Sequence, residues 1–71
     1  MPVRMMAKTD YKRIKEELLA IPDMTEKEAH VLATIESNPR FAQRRLEMEG
    51  MTREEYAEVR WSAMNKYRPY R

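Results

Sequence analysis

Residues 47–60, EMEGMTREEYAEVR, carry the decisive punctuation of this chain: one helix runs out, a lone glycine turns it, and another helix opens. Gly50 is the sequence's one glycine. Glycine enters the left-handed region without steric cost, so Gly50 predicts a helix terminator. The residues after it read as a helix start. Thr52 is the cap, Glu55 the returning half of a capping box, and Met51 and Tyr56 the flanking hydrophobic staple.

A helix-turn-helix that reads DNA would place the first residues of the second helix against base edges. Here those residues are Arg53, Glu54 and Glu55, two of them carrying the charge that phosphates repel. Bulky Leu46 stands where close helix crossing favours a small side chain, and Glu49 stands where the chain should point inward. The stretch therefore predicts a corner between packed helices.

The same chemistry recurs upstream. Met24-Thr25-Glu26-Lys27-Glu28-Ala29 opens a second helix, with Thr25 and Glu28 as capping box and Met24 and Ala29 as staple. The two openings are in register and invite a duplication reading, but shared capping chemistry is the preferred explanation, since one pair of units is too few for a repeat array. Val31, Leu32 and Ile35 supply this helix's apolar face, and Pro39 is expected to stop it near Ser37. Asn38 and Pro39 then read as cap and first position of a third helix, with Phe41, Ala42, Leu46 and Met48 as apolar positions. Before all this, Thr9 or Asp10 can cap a first helix bearing Tyr11, Ile14, Leu18 and Ile21, which Pro22 ends. The fourth helix is expected to run to about Tyr67, ahead of Pro69.

The predicted fold is all-α, a compact bundle of three to four short helices. Residues 1–8 are expected to be a flexible leader, 9–68 one helical domain and 69–71 a short tail. Met5 or Met6 could serve as the native start as well as Met1.

A chain of 71 residues buries only about 60% of its unfolded surface. Without cysteine, neither disulfides nor thiolate zinc frameworks can reinforce it. Dimerisation or a larger partner is the remaining common device. Fourteen basic against twelve acidic residues leave a net charge of +2, a small excess for a dedicated phosphate binder. No apolar run reaches membrane-span length, and the opening MPVRMMAK has no signal-peptide core. A cytoplasmic location is the expectation. His30 has no second imidazole at ligand spacing and is expected to be exposed, so no metal is called for. The sequence offers neither a phosphate loop nor a nucleophile-base pair. It points to no enzyme and no cofactor.

On the fourth helix Tyr56, Val59, Ala63 and Tyr67 share the stripe expected to face the core. Ala57, Trp61 and Met64 form a second stripe. Either the first helix folds across Trp61, or Trp61 anchors a second chain. Arg45, between Phe41 and Met48, and Arg60 beside Trp61 are further candidates for protein contact. The end, RWSAMNKYRPYR, interleaves aromatics with Lys66, Arg68 and Arg71 beside Tyr67 and Tyr70 and lacks acidic residues. It suits an acidic protein surface or stacked bases.

Two short stretches, KTDY (8–11) and NPRFAQ (38–43), resemble segments of the Hha/YmoA family of nucleoid-associated modulators. Their spacing differs from that family's, and Pro39 falls where it has continuous helix, so they assign no family. The reading that follows is a small regulatory or inhibitory protein that occupies a surface of a larger protein, of the stand-alone kind that phages and other mobile elements encode. The alternative is a nucleic-acid-binding accessory protein using its basic-aromatic end.

Overall fold

Helix α2 (Glu26–Ser37) is the centre of the molecule. Its side chains Glu28, Ala29, Val31, Leu32, Ala33 and Thr34 are buried and encircle most of the helix. A helix covered all round needs small or apolar residues on every side, and α2 supplies them. The computed structural model describes the backbone of residues 2–70 and the side chains of residues 11–70. Around α2 lie α1 (Pro2–Leu19), α3 (Ala42–Met48) and α4 (Arg53–Tyr67), each packed against it. A short 3-10 turn, Arg68–Tyr70, closes the chain. The fold is all-α, a small helical bundle. None of its described helices is long and apolar enough to cross a membrane.

The main core gathers Leu18 and Ile21, Met24 from the turn, Ala29, Leu32 and Ala33 of α2, and Ala63 of α4. Tyr11, Ile14, Met64 and Tyr67 pack on it from the edge. Val31, Ala42 and Leu46 are buried outside this cluster, on the side that α3 covers.

Helix α1 begins at Pro2, so Thr9 and Asp10 lie inside it rather than capping it. Val3, Arg4, Met5, Met6, Ala7 and Lys8 contain no helix breaker, and proline is tolerated in the first turn. Its end falls where Pro22 requires. The amides of Ala20 and Ile21 donate to the carbonyls of Glu17 and Leu18, tightening the last turn. Asp23 then takes φ +70, a left-handed conformation that aspartate tolerates better than most residues.

Both threonine caps are present. Thr25 accepts from the Glu28 amide at 3.1 Å, and the Glu28 carboxylate accepts from the Thr25 amide at 2.9 Å, completing the box. Thr52 accepts from the Glu55 amide at 3.0 Å, but the Glu55 carboxylate does not return the bond. It reaches Lys27 on α2 instead. Only half of the second box forms.

The turn at Gly50 is a Schellman closure. The Gly50 amide donates to Glu47 and the Met51 amide to Leu46, satisfying two carbonyls at the end of α3. Gly50 has φ +102 and open space around it, so glycine is required there for conformation and not for room.

Helix α3 starts later than its sequence predicts. Asn38 caps the end of α2 through its amide, and the following turn is closed by the Phe41 amide donating to the Asn38 carbonyl. With the start at Ala42, it is Ala42 and Leu46 that point at α2. Phe41 and Met48 fall on the far side, 52% and 81% exposed. They are surface residues, contrary to the apolar pattern.

Candidate functional site

Glu28 is almost fully buried and holds α2 to α4. One carboxylate oxygen accepts from the Thr25 amide and from Lys66 Nζ, each at 2.9 Å. The other accepts from Ser62 Oγ at 2.6 Å and Lys66 Nζ at 3.1 Å. Lys66 Nζ also donates to the Asp23 carbonyl at 2.6 Å. Burial by itself would raise the Glu28 pKa. The hydrogen bonds from Ser62, Thr25 and Lys66, with the lysine's charge, outweigh it and hold the carboxyl at about 2. Lys66, expected in a free basic tail, is therefore spent inside the fold.

His30 is half-buried and not solitary. Its Nε2 lies 2.8 Å from Glu49 Oε1, and its Nδ1 lies 2.6 Å from the Tyr11 hydroxyl. A carboxylate only accepts, so Nε2 carries the proton and, in the neutral ring, Nδ1 accepts from Tyr11. The chain Tyr11–His30–Glu49 thus joins α1, α2 and α3, with the Tyr11 ring edge-on to the imidazole. It also explains why Glu49 stands before Gly50: the carboxylate turns toward His30. No group of three or more His, Cys, Asp or Glu side chains suited to a metal ion occurs among the described residues.

The expected contact residues divide. Ala63 is buried, and Tyr56, Val59 and Tyr67 are half-buried, as the core stripe requires. Met64 leaves the predicted outer stripe to pack on the core. Ala57 is exposed and Trp61 is 72% exposed, so the first helix does not fold across the indole. Arg60, on the C-terminal half of α4, and Arg68, which opens the 3-10 turn after it, are exposed, and Glu58 is the last acidic residue of the sequence. Tyr70 is also exposed, whereas Arg71 lies outside the described residues. On α3, Arg45 is exposed and touches Glu49 at 3.8 Å. Helical spacing places Phe41, Arg44, Arg45 and Met48 on one outward face, and all four are exposed.

Phe41, Met48 and Trp61 are the most exposed large apolar side chains outside the cleft bounded by Tyr70; Phe41 and Met48 have Arg44 and Arg45 at helical spacing, and Trp61 has Arg60 next to it in sequence. Aromatic residues, methionine and arginine are the types enriched in the buried centres of protein interfaces. Sequence patterning found Trp61 but missed Phe41 and Met48, because it grouped them with Ala42 and Leu46 as one apolar set, whereas helical spacing puts the two pairs on different faces and only Ala42 and Leu46 are buried.

No protein family matches the chain, and comparisons with curated proteins and with solved structures likewise find no match.

Proposed function

We infer that this is a non-enzymatic interaction protein that docks on an acidic surface of a larger protein and regulates or inhibits it by occupying that surface. The observation that carries this reading is Trp61, 72% exposed, with exposed Arg60 next to it in sequence and exposed Arg68 two helical turns on. Tryptophan and arginine are among the residue types enriched at binding hot spots, and the arginines supply bidentate donors for carboxylates. The α3 face with Phe41, Arg44, Arg45 and Met48 offers a second patch of the same character. A homodimer joined through either patch is compatible with this surface.

Truncating the anchor tests the reading. The parent chain is expected to retain a stoichiometric protein from lysate of its source cells, and Trp61→Ala to weaken that complex at least ~30-fold. The helical circular dichroism should stay unchanged, since the indole contributes little to the core. Arg60→Glu with Arg68→Glu should slow association by reversing the charge that steers it. Full retention by Trp61→Ala would refute the docking role. Oligonucleotide binding that falls steeply with salt, without a protein partner, would favour the nucleic-acid alternative.

A further inference from the structure

A half-open cleft of about 310 Å³, to which Trp61 does not contribute, lies between the C-terminal half of α1, the end of α2, Tyr67 and the closing 3-10 turn. Its floor is apolar, formed by Ile14, Leu18 and Ile21. Tyr67 and Tyr70 bound it, and Glu17 and Glu36, two acidic residues from different helices, complete the lining with Ala20. Among the described residues no basic side chain lines it, in a chain whose net charge is +2.

Glu26, Glu28, Glu47, Glu49 and Glu55 each lie within ion-pair distance of a basic side chain. Among the described residues, Glu17 and Glu36 have no such partner, as is also true of Glu16, Glu54 and Glu58; what sets Glu17 and Glu36 apart is that both line one concavity. Two like charges brought to one concavity with a low-dielectric floor reinforce each other's field. Tyrosine rings present a negative face to a cation as well. The volume falls at the small end of the range of ligand pockets.

We propose that this cleft is a binding site for a small amphipathic organic cation, an ammonium group on an apolar body. The body rests on Ile14, Leu18 and Ile21, and the ammonium lies between Glu17 and Glu36 beside the two tyrosine rings. A neutral apolar ligand would leave both carboxylates without a counter-charge, and an anion would be repelled by both. This site is separate from the docking surface, and neither assignment depends on the other.

Two-dimensional NMR of the full chain with hexyltrimethylammonium and hexylamine, against hexanoate and hexanol, tests the assignment. Both cations are expected to shift the amides of Ile14, Ala20, Ile21, Glu36, Tyr67 and Tyr70 at concentrations of ~1 mM. Hexanoate should leave them in place. The double variant Glu17→Gln with Glu36→Gln should bind the cations at least ~10-fold more weakly, and Tyr70→Ala about 3-fold. All three substituted side chains are exposed, so helicity is expected to be kept. Equal shifts from hexanoate or hexanol would overturn the charge selectivity. So would an unchanged affinity in the double variant, or silence from both cations up to ~10 mM. A lysine dipeptide binding more tightly than hexylamine would overturn the small-molecule assignment and give the cleft to a partner's side chain.

Discussion

Acidification is expected to remove a large part of this protein's stability, and Glu28→Gln to remove the same part at neutral pH. The Glu28 carboxyl is held at about 2 in the fold, against an ordinary value of 4.5. A lowered folded-state pKa means that the unfolded chain takes up the proton first. The stabilisation is therefore complete above about 4.5 and is lost as pH falls toward 2. At 1.36 kcal/mol per pH unit the shift corresponds to about 3 kcal/mol. Lys66 is 31% exposed, and solvent screening of its charge brings the contribution nearer about 2 kcal/mol. A chain of this length has a total stability of only about 4–10 kcal/mol. Urea unfolding at a series of pH values should show the parent losing its advantage over Glu28→Gln between pH 4.5 and 2. Parallel curves for the two proteins would contradict the network.

Leu46→Ala is expected to cost about 3 kcal/mol, whereas Phe41→Ala and Met48→Ala should each cost less than about 0.5 kcal/mol. Leu46 is fully buried and is the largest side chain that α3 turns inward. Without it, a helix of 7 residues has little to hold it, since isolated helices this short do not persist in water. Loosening α3 also withdraws Glu49 from His30. Hydrogen exchange in Leu46→Ala should therefore quicken first in α3, ahead of α1 and α4. Equal destabilisation by all three substitutions would show that Phe41 and Met48 belong to the core after all.

Local punctuation was legible in the chain, and distant partnerships were not. Pro22, Gly50 and the two threonines act on the backbone within a few residues, and each marks its boundary as expected. Pro39 was misread: it marks a turn, and the third helix waits until Ala42. The second half of the capping pattern at Glu55 failed because a lysine from another helix competes for the carboxylate. Glu28 was readable as a cap, but its partners Ser62 and Lys66 are 34 and 38 positions away. No helical period could have announced them. His30 likewise takes Tyr11 and Glu49 from 19 positions on either side, so a lone imidazole in the sequence became a link among three helices. Trp61 illustrates the other limit. Its stripe was visible, but whether the first helix covered it depended on α1 packing along α2.

The chain's one tryptophan is already largely surrounded by water in the native protein. Its emission should thus change little when the bundle melts, which makes intrinsic fluorescence a poor thermometer for this fold. The same indole should brighten or shift to the blue when a docking partner excludes water from it. Light from one side chain would then report occupancy of the surface almost independently of whether the helices behind it have begun to loosen.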